Sequence, residues 1–172
     1  ENTYGRLIMK KILYWLPALF IMIIIFAFSS KPAEISGQSS MTIANRIYSI
    51  YERITGRVKN DEERLRDLET VDHIVRKGAH ITEFALLAAA MAWPLWISGL
   101  RRLRLALGTI GLTIIYAVSD EFHQTFVPGR SGEIRDVCID AAGAVIGYFV
   151  FLTALNIRKK VLSTGRNINH SE

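Results

Sequence analysis

Apolar positions along this chain gather into four blocks separated by polar stretches, instead of recurring at a period of 3.6 or 2 throughout. The first block, Ile12 to Phe28, runs without a charge between Lys10-Lys11 and Ser29-Ser30-Lys31. It is long for a signal-peptide core, and Ala27-Phe28-Ser29 is a poor cleavage pattern, so it reads as a retained membrane helix. Pro17 falls in its first two turns, where a missing N–H costs little. The other blocks cover 74–97, 103–126 and 134–155, each close to the ~20 residues that a bilayer core requires. The expectation is an all-α integral membrane domain over 9–155, a four-helix bundle with an insertion at 29–73 between the first two spans. The tail, 156–172, has no apolar period and is expected to be cytoplasmic and disordered. Glu1 to Ile8 reads as an extension before Met9-Lys10-Lys11 and is set aside.

The insertion has its own pattern. SSKPAEISGQSS is turn and loop chemistry. After Ser39 and Ser40, residues Ile43, Ile47, Ile50, Tyr51 and Ile54 share one helical face, which predicts an amphipathic helix. Such a helix can lie on the bilayer surface or pack on the protein as a solvated hairpin. Thr55 to Asn60 breaks it, and Leu65, Leu68, Val71 and Val75 then lead at helical spacing into the second span.

Composition agrees with a membrane class: half of the 172 residues are hydrophobic and the net charge is +5. That mild basic balance points to charge flanking the membrane more than to nucleic acid. Lys/Arg placement bears on orientation. With both termini inside, the inner segments hold ten cations and the outer segments eleven, so the plain count does not discriminate. Density does: Lys10-Lys11 precede the first span, and Arg101, Arg102 and Arg104 crowd one short turn. This favours cytoplasmic termini.

Candidate chemistry lies where polar residues invade the blocks. Arg76, Lys77, His80 and Glu83 open the second span, Asp120, Glu121, His123 and Gln124 close the third, and Asp136 and Asp140 open the fourth after a turn holding Arg130. Topology alone brings these ends to one layer, at the outer interface. Arg76, His80 and Glu83 share a helical face, as do Asp120, His123 and Gln124; Asp136, Asp140, Gly143 and Gly147 form a stripe down the fourth span. Gly143 and Gly147 are a GxxxG pair, a packing device. The acids are either a structural network with Arg76, Arg130 and Arg135, or a site. As a site, His80, Glu83, Asp120, Glu121, His123 and Asp136 are candidates for acid/base or metal work. Arg76, Lys77, Gln124, Arg130 and Asp140 are candidate ligand contacts, the cations toward phosphate. Two His and several carboxylates suit zinc or manganese, although no familiar ligand spacing such as HExxH occurs. Ser119 and Ser131 lack a GxSxG context, there is no glycine-rich phosphate loop, and a single cysteine, Cys138, allows no disulfide within the chain. A proton or ion pathway would need polar residues through the whole span, and the inner halves are nearly uncharged.

Three segments resemble the VanZ-like family of bacterial membrane proteins: FSSKPAEISGQSS at 28–40, RKGAHITEFALL at 76–87 and SDEFHQTFVPGRSGEIRDVCIDAAGAVIG at 119–147. The resemblance implies a four-span protein of the bacterial inner membrane, linked to teicoplanin and other glycopeptide resistance. No catalytic role comes with it. Asp140 stands where the family usually has Asn, and an added carboxylate favours a retained proton or a held cation. From this follows an expected partner, a membrane lipid or lipid-linked cell-wall precursor met at the outer face. The alternative is a non-catalytic lipid- or partner-binding module whose charges only shape the bundle.

Overall fold

The computed structural model describes residues 11–56 and 59–168. Among these it is all-helical, with α1 Leu16–Ser29, α2 Ala33–Thr55, α3 Asp61–Ile97, α4 Arg102–Gln124 and α5 Ile134–Ile168. Four helical stretches are long and apolar enough to cross a membrane: Lys11–Ser29, Asp61–Ile97, Arg102–Gln124 and Ile134–Ser163. The expected four-helix bundle is formed by α1, α3, α4 and α5, with α2 packed mainly on α3. Residues 1–8 lie outside the described part.

Each helix boundary has a local cause. Asn60 caps α3 by accepting the Glu63 N–H at 2.9 Å, and Asp61, Glu62 and Glu63 place negative charge on the positive end of the helix dipole. Gly56, with φ of +65°, ends α2 in the left-handed conformation. Pro94 falls in the last turn of α3, where Ser98 N–H still reaches its carbonyl at 2.9 Å. The turn after α4 holds Pro128 and Gly129, and Gly129 has φ of +74°.

Two boundaries differ from the sequence expectation. Residues 33–38 are helical where turn chemistry predicted a loop. Pro32 caps the helix in extended conformation, Glu34 favours its first turn, and Ala33 N–H donates to the Pro128 carbonyl at 3.2 Å. That long-range bond satisfies one of the donors that a helix start leaves open. The last helix is also longer than the expected fourth span: α5 continues past 155 to Ile168. Extending an existing helix avoids the nucleation cost, and Arg158 is held over the Trp93 ring at 5.8 Å.

The largest interface joins α3 and α5. Its closeness follows from Gly143 and Gly147. A Cβ on them would fall 2.6 Å from the Ile81 carbonyl oxygen and 2.0 Å from that of Ala85. One buried cluster, Ala18, Ile25, Phe84, Leu87, Met91 and Ala117, joins α1, α3 and α4. A second, Ala92, Leu105, Tyr148, Phe151 and Leu155, joins α3, α4 and α5 at the other end. Tyr116 locks α4 to α1 by donating to the Met22 carbonyl at 2.6 Å. Large apolar side chains elsewhere on the spans, such as Phe20, Ile115 and Phe149, point outward, as a lipid-facing surface requires.

Candidate functional site

The polar ends of the spans meet in one layer. The acidic stripe of α5 lies against α3: Asp136 is ion-paired with Lys77, and Asp140 Oδ1 lies 3.2 Å from His80 Nδ1. The i, i+3 spacing of Lys77 and His80 on α3 and the i, i+4 spacing of Asp136 and Asp140 on α5 make both contacts at once. From α4, Asp120 and Glu121 are buried beside them. Gln124 Nε2 donates to Asp120 Oδ2 at 3.0 Å and to Glu121 Oε1 at 3.2 Å. Glu121 Oε2 accepts the Glu133 N–H at 3.0 Å, so both its oxygens are held by oriented donors.

Arg130 closes this network from the turn after α4. Its Nη1 donates to Gln124 Oε1 at 3.1 Å and its Nη2 to the Phe28 carbonyl at 3.4 Å. Burial pulls its guanidinium below the ordinary arginine pKa, but Asp120 and Glu121 nearby oppose that. It remains charged at any ordinary pH.

The anticipated arginine–carboxylate network is not what forms. Arg76 pairs with Asp72 one turn back on its own helix, at 3.2 Å. Among the described residues, Arg130 and Arg135 make no ion pair within 4.0 Å. Lys77, His80 and Gln124 take those partnerships instead. His123 lies apart from the acids: its ring stacks at 4.6 Å on Phe26, and its Nδ1 is 3.5 Å from Ser29 Oγ. It fastens α4 to α1, and the structure does not bring it into the acid cluster.

Over this layer opens a cavity of about 600 Å³. The spans contribute Arg76, Lys77, His80, Glu83, Asp120, Gln124 and Asp136 to its wall, and the α4–α5 connection contributes Arg130. The remaining wall was not singled out in the sequence. It includes Lys31 and Ser36, Ser39 and Ser40 of α2. The signal was present in the serine spacing, i, i+3 and i+4, but it reads as a polar face only once the segment is known to be helical. Asp72, buried near the same end of α3, was also missed. Its position four residues before Arg76 was the available clue.

Chemically the layer combines anions and cations at close range. One ligand atom from each of His80, Glu121 and Asp140 lies within 4.8 Å of the others, a spacing that a metal ion can gather. Asp140 Oδ2 and Asp120 Oδ1 are buried without a hydrogen-bond partner. The cations Lys31, Arg76, Lys77 and Arg130 are distributed around the cavity wall.

No curated protein and no solved structure matches this sequence. A family match does exist, and it spans α1 through the apolar part of α5, with the whole polar layer inside it. Matching the VanZ/LLP1 family over residues 14–156, this multi-pass membrane chain belongs to that family.

Proposed function

We propose that this protein binds a lipid-linked anionic component of the cell envelope in the cavity, at the outer face of the inner membrane, and that this binding is its part in VanZ-type glycopeptide resistance, including resistance to teicoplanin. The observation that carries the reading is the cavity itself. It is large enough for a phosphorylated headgroup, opens where apolar spans end, and has four cations in its wall. Lys31 is the most available of them. Its ammonium rests over the Phe28 ring at 4.9 Å and has no acidic partner among the described residues. Arg130 presents its guanidinium in the fork geometry that suits phosphate oxygens.

If turnover follows binding, His80, Glu83, Asp120 and Asp136 are among the cavity-wall groups able to transfer a proton, with Glu121 behind them. The alternative is a binding module whose acids only shape the bundle. The two donors that engage Glu121 favour that reading for Glu121 in particular.

The test uses purified protein and cells together. Lys31→Gln and Arg130→Gln are expected to weaken retention of an anionic lipid in native mass spectrometry by about tenfold or more each, since each removes a charge-assisted contact. Resistance should fall with retention. Asp120→Asn and His80→Gln are then read for resistance at unchanged lipid retention and abundance. Loss of resistance assigns chemistry, and full resistance assigns binding alone. Full lipid retention and full resistance in both Lys31→Gln and Arg130→Gln would end the anionic-ligand reading.

A further inference from the structure

We propose that His80, Glu121 and Asp140 form a binding site for one divalent transition-metal cation of the zinc or manganese class, set just beneath the cavity wall. Three observations converge on it. The ligand atoms already lie within 4.8 Å of one another. Around a zinc or manganese ion with bonds of ~2.0–2.2 Å, ligand atoms sit ~3–4.4 Å apart, so a small contraction brings the three to coordinating distance. Next, one ligand is braced from behind: Glu121 is oriented by the Glu133 N–H at 3.0 Å and the Gln124 amide at 3.2 Å. Bracing of this kind is what metal ligands generally carry.

The third observation concerns unmatched charge. Asp140 is 0% exposed and its Oδ2 has no hydrogen-bond partner; Asp120 is 3% exposed and its Oδ1 has none either. Asp120, Glu121 and Asp140 are buried together with Glu83 close by; the counter-charges nearest them are His80 and Arg130, while Lys77 is taken up by Asp136. Retained protons are the competing remedy. A proton on Asp140 Oδ1, shared with His80, would leave Oδ2 without a partner. A cation held between Asp140 and Glu121 offsets the charge of two carboxylates.

The donor set selects the class of ion. One imidazole and two carboxylates suit zinc or manganese, whereas calcium and magnesium favour shells made of oxygen alone. Three protein ligands leave coordination positions open. His80 is the ligand that borders the cavity, and Asp120 borders it too, so an open position there would face whatever occupies the cavity. The ion site does not rest on the anionic-ligand reading, because its ligands are not the cations proposed to hold that ligand.

The experiment is metal binding by the full-length protein in detergent, stripped with a chelator and titrated separately with Zn²⁺ and Mn²⁺. Bound metal is measured after gel filtration, and thermal unfolding is followed in parallel. The expected result is one ion per chain with a raised melting temperature. Asp140→Asn and Glu121→Gln should each lower affinity at least about tenfold. Asp72→Asn, a change at another buried acid with an unpartnered oxygen, should leave affinity unaltered. Should the cluster variants not fold, pulsed electron paramagnetic resonance of Mn²⁺ on the unsubstituted protein decides, with nitrogen coupling from one imidazole expected. Absence of stoichiometric metal, equal binding by Asp140→Asn, or bound Mn²⁺ without nitrogen coupling would each overturn the proposal.

Discussion

Gly143 and Gly147 set how closely α5 can approach α3, and the polar layer depends on that approach. A Cβ at Gly147 would overlap the Ala85 carbonyl oxygen at 2.0 Å, and one at Gly143 would meet the Ile81 carbonyl at 2.6 Å. These neighbours are backbone and cannot swing aside. Gly147→Val is therefore expected to separate the helices and destabilise the fold by at least ~2 kcal/mol, in the range of overpacking. Gly78 sits on the same α3 with nothing within 4 Å, so Gly78→Ala should be neutral or stabilising by up to ~1 kcal/mol. Thermal unfolding of the two variants side by side checks the contrast. The glycine stripe was legible because its period is helical and continuous with Asp136 and Asp140. All four residues do face α3. Which base each acid meets was not legible. Arg76 and Lys77 are adjacent in sequence, and only the rotation of α3 against α5 gives Asp136 to Lys77 and leaves Arg76 to Asp72.

At the level of elements, α2 is where sequence and structure part most. Its isoleucine face was legible. Ile43, Ile47, Ile50 and Ile54 share one side and remain exposed, while Ser40, Ala44 and Tyr48 are buried. Its first turn was not legible, because it depends on the bond to Pro128, about ninety-five residues away in sequence. The far end of α2 is held to α3 by a small polar clamp. Lys59 Nζ bonds Asp67 Oδ2 at 2.7 Å, and Tyr48 donates its hydroxyl to the same oxygen at 3.2 Å. The hydrogen bond to Asp67 raises the Lys59 pKa above its ordinary value. A raised folded-state pKa means that the stabilisation is fully present below the unfolded value of ~10.4 and is lost as pH rises through the folded value. The α2–α3 hairpin should therefore loosen only in alkaline solution, above about pH 10.4. Spin labels at Ile54→Cys and Glu69→Cys, in a Cys138→Ser background, should report broadening distances there. Lys59→Arg should hold the narrow distribution to higher pH, because a guanidinium keeps its proton. A transition at the same pH in both proteins would remove Lys59 as its origin.

For the whole molecule, the two ends of the bundle differ in kind. At one end, Trp93 and Trp96 stack on one another, Arg101 lies over Trp96 at 5.1 Å and Arg158 over Trp93 at 5.8 Å. Aromatic rings beside cations are the usual furniture of a membrane–water interface. With a helical rise of ~1.5 Å per residue, His80 lies ~24 Å along α3 from Trp96. That is less than the ~30 Å of a hydrocarbon core. The acids facing His80 thus lie at the edge of the apolar slab, where charges without partners are costly and where a roof such as α2 can shelter them. We propose that the end where Arg101, Arg102 and Arg104 cluster with Arg158, Lys159 and Lys160 faces the cytoplasm, as the positive-inside rule favours. In a Cys138→Ser background, Ser131→Cys is then expected to react with a membrane-impermeant maleimide in cells whose inner membrane is intact. Arg104→Cys should react only after that membrane is opened. Both positions are exposed in the fold, so a difference between them reports sidedness and not burial. The reverse pattern would turn the cavity to the cytoplasm, and an outer-face envelope ligand would then have no access to Lys31 and Arg130.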